Sequence, residues 1–153
     1  MKKQQAGFTL IELVIVIIIL GILAATAVPK FIGLSGDARA SVMKAVEGSM
    51  RAANIIIYAR AASNGVENSA SENVQINGEN VELVYGYAKN IAELRKAMDL
   101  SPENDFTTDT TNKRIEHRGA IDGAECSVTY TAATVTTTTT KPPIYTLDVS
   151  DCN

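Results

Sequence analysis

The sequence predicts an α+β chain: one long N-terminal helix, apolar in its first half and amphipathic in its second, packed on a C-terminal antiparallel β-sheet head. Three observations predict it. Residues 8–28 read FTLIELVIVIIILGILAATAV, an apolar run whose one charge is Glu12. Beyond Pro29 the apolar residues recur at spacings of three and four, the period of a helix with one buried face. From Asn104 onward short strand-forming runs are separated by Gly119, Gly123 and Pro142-Pro143. A run of strands after a run of helix is the α+β pattern.

The first element is the apolar segment. Twenty-one helical residues rise about 30 Å, the thickness of a bilayer's hydrocarbon core. The basic start, MKKQQAG, places Lys2 and Lys3 on the cytoplasmic side and sends the rest outward. The sequence AATAV mimics a signal-peptidase site, but Pro29 and the continuing helical pattern argue for retention. From composition alone the segment reads as an N-terminal signal anchor. Glu12 does not fit that reading, since an acid at the centre of a membrane helix costs roughly 2.5–3.5 kcal/mol and asks for a partner. Gly21 and Pro29 each weaken a helix, so a break or bend is expected between them.

The second element is the amphipathic continuation, residues 29–62. Phe31, Leu34, Ala38, Val42, Ala45, Val46, Met50, Ala53, Ile56 and Ile57 form its apolar set. Asp37 with Arg39, and Lys44 with Glu47, read as a solvated face. One helix over residues 8–62 is roughly 80 Å long. Ser63, Asn64 and Gly65 end it with turn chemistry.

The head is residues 63–153. An exposed polar loop leads to NVQI and NVELVY, alternating runs joined through Asn77-Gly78, a hairpin signal. Asn90 followed by Glu93 has the form of a capping box opening a helix over residues 91–100, stopped before Pro102. Strands are expected at residues 114–118, 124–130, 133–139 and 144–149. The Thr-rich tract at residues 134–140 reads as an exposed edge strand, with O-glycosylation the alternative.

Composition excludes several functions. Fourteen Lys and Arg against 17 Asp and Glu leave a net charge of −3, with no basic stripe, so no nucleic-acid partner is predicted. Eight Phe and Tyr and no Trp argue against an aromatic platform or a conducting stack. His117 is the only histidine, so no catalytic triad is assembled, no clustered metal site is predicted, and the chain reads as neither an enzyme nor a holder of cofactors. Asp99, Glu103, Asp105 and Asp109 could bind calcium but lack the EF-hand pattern and read as a solvated loop. Cys126 and Cys152 lie beyond the apolar segment. If that side is exported, an oxidised pair is the simplest reading, closing a loop worth on the order of 3 kcal/mol.

The junction AG|FTLIELVIVIIILGILAATAVPKF resembles the type IV pilin family closely. The resemblance implies the pilin fold, with residues 1–7 a leader that prepilin peptidase removes after Gly7 and with Phe8 then N-methylated. It implies that Glu12 is the assembly glutamate, one helical turn from Phe8 on the same face, where it meets the amine of a neighbouring subunit. It implies that the filament helix loosens between Gly21 and Pro29, and that a Cys126–Cys152 disulfide encloses a variable surface loop. The implied partners are further copies of the chain, the inner-membrane assembly machinery, an outer-membrane secretin and a surface or glycan receptor. The implied location is the inner membrane, single-pass, before assembly and an extracellular pilus afterwards, with adhesion, biofilm growth or motility as output. VPKFIGLSGDARASVMKAVEGSMRAA, ASNGVEN and VYGY resemble the mannose-sensitive haemagglutinin branch of the type IVa pilins. A type II secretion pseudopilin and a membrane-anchored binding protein that never polymerises are the competing readings.

Overall fold

The computed structural model describes residues 8–100, 103–136 and 139–153. The expected leader with its Gly7 junction, and the expected helix stop at Pro102, lie outside the described residues. Helix α1 spans Leu10–Ser63, about 80 Å at 1.5 Å per residue. It starts two residues later than expected because Thr9 takes extended backbone angles and serves as its N-cap, and Asn64 closes it. In the single chain α1 is one helix through Gly21 and Pro29; the loosening that the resemblance implies there belongs to the filament. Proline removes one ladder hydrogen bond, and the apolar turns on either side keep theirs.

Composition changes at Pro29, but packing begins later, at Gly36. From there Met43, Val46, Met50, Ala53, Ile57 and Ala61 form one buried stripe. The apolar set read from the sequence merges two stripes. Phe31, Leu34, Ala38, Val42, Ala45 and Ile56 recur at helical spacing too, yet all are exposed, on a second face turned away from the head. Arg39, expected on a solvated face, instead lies on the buried side, where its guanidinium donates to the Cys152 carbonyl at 2.9 Å.

The head has two principal sheets and a small ribbon, all antiparallel. Strands β1 (Glu72–Ile76), β2 (Glu79–Val84) and β3 (Tyr87–Ala88) form a meander. Asn77 and Gly78, both at positive φ, make the hairpin turn that their sequence announces. Helix α2 (Ile91–Lys96) follows, opened by Asn90 accepting from the Glu93 N–H at 3.0 Å. It stops at Lys96, short of the expected residue 100, because tight bonds from Ala97 and Met98 to the carbonyls of Leu94 and Arg95 turn the chain. Met98 and Leu100 then drop into the core.

The second sheet has the order β4-β5-β6-β9, with β4 at Phe106–Asp109, β5 at Arg114–His117, β6 at Ser127–Thr131 and β9 at Ile144–Asp148. The sequence reading contained no β4. Strand β6 begins at Ser127 instead of residue 124, because Asp122 caps the Ala124 N–H at 2.8 Å and winds Gly123–Glu125 into a single 3-10 turn. The Thr-rich tract is not an edge strand of this sheet. Strand β9 fills the place beside β6, in register from Ser127↔Asp148 to Thr131↔Ile144. The tract therefore folds on itself as β7 (Thr134–Thr136) paired with β8 (Thr139–Lys141).

Asn54, on α1, ties helix and sheets together. Its amide oxygen accepts the Ala88 N–H at 3.0 Å, and its amide nitrogen donates to the hydroxyls of Tyr145 at 2.7 Å and Tyr130 at 3.3 Å. Tyr130 in turn donates to the Ala88 carbonyl at 2.7 Å. Burial pushes both phenols above their ordinary range, with the Asn54 bonds opposing it, so they remain neutral hydroxyls. Asn54→Ala should destabilise the full chain in detergent by about 3 kcal/mol, since it leaves several buried polar groups unpaired. Ile55→Ala, one residue along on an exposed position, should cost less than about 0.5 kcal/mol. Urea titration followed by tyrosine fluorescence measures both, and equal costs would contradict the role given to Asn54.

The last residues are clasped onto α1. Cys126 and Cys152 are joined as a disulfide, the Ile121 N–H donates to the Asn153 carbonyl at 2.7 Å, and Asn153 faces Gly36. His117 sits half-buried at this seam, its ring edge toward Phe106 and its Nδ1 accepting the Gly119 N–H at 3.0 Å. Burial, and then the Arg39 charge, hold its pKa below the ordinary 6.5, while Asp105 pulls the other way. With the folded value depressed, the unfolded chain binds more protons just below pH 6.5, so stability is full above that pH and falls as the pH drops toward the folded value. The urea midpoint should decline between pH 7.5 and 5.5 in the native chain, and this decline should flatten in His117→Gln.

Candidate functional site

The first turn of α1 is closed by a reciprocal capping box. The Thr9 N–H and hydroxyl donate to Glu12 Oε2 at 2.8 and 2.7 Å, and the Glu12 N–H donates back to Thr9 Oγ1 at 3.3 Å. A threonine three residues before a glutamate is the sequence signal for this arrangement, and the apolar run hides it. The box fixes the carboxylate at the start of the helix, where the positive end of the helix dipole favours it. Phe8, just before the N-cap Thr9 and outside α1, is 87% exposed.

Around this anchored charge the helix is apolar on every side, and none of the other described residues covers it. Leu10 is 80% exposed, and Ile11, Leu13, Ile15, Ile17, Ile19 and Leu23 are all more than half exposed. Among the described residues this is the one helix long and apolar enough to cross a membrane. The second stripe carries the same surface past Pro29 and along the head, ending near Ile55 and Ile56. Such an area exceeds what isolated soluble chains expose and marks an interaction surface.

The sequence-predicted site residues fall into two groups. At the helix start, Glu12 lies in the first turn of α1, whereas Phe8 precedes the N-cap Thr9 and stands outside the helix. Cys126 and Cys152 come together at the far seam of the head. Gly21 and Pro29 lie between, with no other part of the chain within 4 Å of where a Gly21 side chain would begin. Asp109, one of the acids weighed for calcium, accepts from the Thr111 and Asn112 N–H groups at 2.9 and 3.0 Å and from the Asn112 amide at 2.6 Å. Those bonds hold its carboxyl below the usual carboxylate range. Among the described residues no group of three or more His, Cys, Asp or Glu is placed to hold a metal ion.

The capping box makes a local prediction. Thr9→Ala removes the acceptor for the Glu12 N–H and should weaken the helix start by about 1 kcal/mol, raising amide exchange at residues 10–13 roughly fivefold while leaving exchange in the head unchanged. Unchanged exchange at residues 10–13 would remove the box as the feature that holds the helix start.

Residues 2–28 match the family described as the prokaryotic N-terminal methylation motif. The chain is 47% identical over 58 residues to the type IV narrow pilus major component PilA5 of Thermus thermophilus, covering 38% of this chain and 50% of that protein. It is 47% identical over 53 residues to the type IV major fimbrial protein FimA of Dichelobacter nodosus, 35% of this chain and 34% of that one. It is also 49% identical over 43 residues to the type II secretion system core protein G of Pseudomonas aeruginosa, 28% of this chain and 30% of that one. The matches thus span half or less of the curated relatives' length. No solved structure matches the chain. By name, these relatives are components of type IV pili and of a type II secretion system.

Proposed function

We propose that the chain is a type IV pilin, a structural subunit that polymerises into a surface filament, and not an enzyme. The observation that carries this reading is a methylation motif over residues 2–28 on a helix whose apolar surface is uncovered through the membrane-length segment and along a second stripe beside the head. Lipid covers the first part before assembly, and other copies of the same helix cover both parts afterwards.

On this reading prepilin peptidase cuts after Gly7, releasing an amine on Phe8 that is then methylated. Glu12 offers its carboxylate to that amine on a neighbouring copy. The charge, costly in lipid, becomes a register pin between subunits. Residues 8–28 anchor the subunit in the inner membrane with the leader cytoplasmic, residues 29–62 carry the head, and residues 63–153 face solvent on the finished extracellular pilus. The inner-membrane assembly machinery and an outer-membrane secretin are the further partners, and many weak head contacts with a surface or glycan receptor add up by avidity to adhesion and biofilm growth. The segments VPKFIGLSGDARASVMKAVEGSMRAA, ASNGVEN and VYGY favour the mannose-sensitive haemagglutinin branch. The identity with core protein G of type II secretion keeps the pseudopilin as a second reading.

Shearing cells and analysing the released material by mass spectrometry tests this. The expected chain begins at a methylated Phe8, and Glu12→Ala abolishes sheared filament while processed subunit stays in the membrane. An intact leader, or a chain confined to the membrane in wild-type cells, overturns the proposal. Loss of protein secretion on deletion, with filament yield unchanged, selects the pseudopilin instead.

A further inference from the structure

A recess of about 210 Å³ opens on the head between the end of α1 and the β2–β3 turn, lined by Tyr58, Glu67, Asn68, Tyr85, Tyr87 and Thr140. Three features set it apart. First, Glu67 Oε2 is buried and has no hydrogen-bond partner among the described residues, while the Asn68 amide reaches only the other oxygen, at 3.3 Å. A carboxylate oxygen withdrawn from water without a donor is costly, and such a group in a native fold calls for a donor from outside the chain: an ordered water, an ion or a ligand. Secondly, the rings of Tyr58 and Tyr87 are stacked, with centroids 5.0 Å apart and planes 28° from parallel. Together with Tyr85 they give the recess an aromatic wall, the kind of surface that attracts a cation.

The third feature is where Tyr85 stands. Tyr85 and Gly86 form the two-residue turn between β2 and β3, and both have positive φ, 51° and 81°. That turn is normally made by Asn-Gly or Gly-Gly, and a bulky aromatic residue in the left-handed region is an outlier. Gly86 is needed there as well, because a side chain would begin 2.8 Å from the Tyr58 ring and 3.0 Å from the Glu67 carbonyl. The strained turn holds a third aromatic ring against the recess, which an asparagine would not supply.

We propose that this recess binds a primary ammonium group on a short alkyl chain. The carboxylate of Glu67 supplies the opposite charge and the tyrosine rings supply cation–π attraction. The carboxylate, the Asn68 amide oxygen and the Thr140 hydroxyl are acceptors, which the three N–H donors of a primary ammonium satisfy and a quaternary one does not. The volume is several times the ~30 Å³ share of one water, enough for an aminoalkyl end. The source is either a free amine or a lysine side chain of a second copy, and both present the same chemistry.

The test uses the oxidised full chain in detergent, titrated with n-butylammonium chloride while the Asn68 side-chain amide is followed by NMR. Saturable binding is expected, with n-butanol and tetramethylammonium giving at least about tenfold weaker responses. Glu67→Gln should weaken binding by about tenfold or more. Tyr85→Asn should raise the melting temperature, by relieving the turn, and yet weaken binding about threefold. A ring present only for packing would give lower stability and unchanged affinity. Suppression of self-association by n-butylammonium identifies a second copy's lysine as the source, and binding without it identifies a free amine. No saturable shift, an equal response to n-butanol, or an unaltered affinity in Glu67→Gln overturns the proposal.

Discussion

The Asn54 side chain is the constraint on which the arrangement of the head depends. A single amide on the buried face of α1 is bonded to the backbone of β3 and to tyrosines on β6 and β9, so one residue fixes where both principal sheets sit against the helix. An apolar stripe alone leaves a helix free to slide or turn by a residue at little cost, since Met43, Val46, Met50 and Ile57 are interchangeable as hydrophobic mass. A buried amide is not interchangeable: any other register leaves it unpaired at a cost of about 1–3 kcal/mol for each group stranded. Arg51, whose guanidinium lies 4.5 Å above the Tyr145 ring, closes the network on its solvent side.

At its other end the head is held by the clasp of residues 151–153. The disulfide shortens the unfolded chain's reach, and the Arg39 bond to Cys152 connects that closed loop to α1. These two attachments, at Asn54 and at Arg39, are about four helical turns apart on one face, which is enough to stop the head from pivoting on the helix. That rigidity has a consequence for the uncovered stripe. With the buried face fixed, the face presenting Leu34, Val42 and Ile56 is fixed too, so the head cannot rotate to cover it.

Local chemistry was legible in the sequence and distant pairing was not. The Asn77-Gly78 turn, the Ser63-Asn64 helix end and the Asn90 cap are written within four residues each, and the structure has all three. The α+β class followed from the order of patterns. The two apolar stripes of α1 were read as one because helical spacing reports that a residue repeats on a face, not which face meets the head. Asn54 looked ordinary because its partners lie 34, 76 and 91 residues away. Strand β4 was missed for a related reason: FTTD has one strongly apolar residue, and its pairing with β5 supplies what its own sequence lacks. The recess around Glu67 was not readable, because it depends on three tyrosines brought together by the fold.

The uncovered helix explains why its polar residues carry more weight than their number suggests. Moving an apolar helix from lipid to a bundle of like helices gains almost no hydrophobic free energy, because lipid tails are as apolar as leucine side chains. Selectivity must then come from close packing and from the few polar groups. Within residues 8–28 those groups are Thr9, Glu12 and Thr26. Thr26 is occupied, its hydroxyl bonded to the Leu23 carbonyl at 3.0 Å. Thr9 and Glu12 are bonded to each other, an arrangement that keeps the carboxylate supplied with donors while no partner is present. Both of those bonds go to Oε2, which leaves Oε1 as an acceptor for a further donor. On the proposed pilin reading, the capping box thus holds the carboxylate in place and accessible: a correctly placed charge on another copy meets it, and a misaligned helix offers it only hydrocarbon.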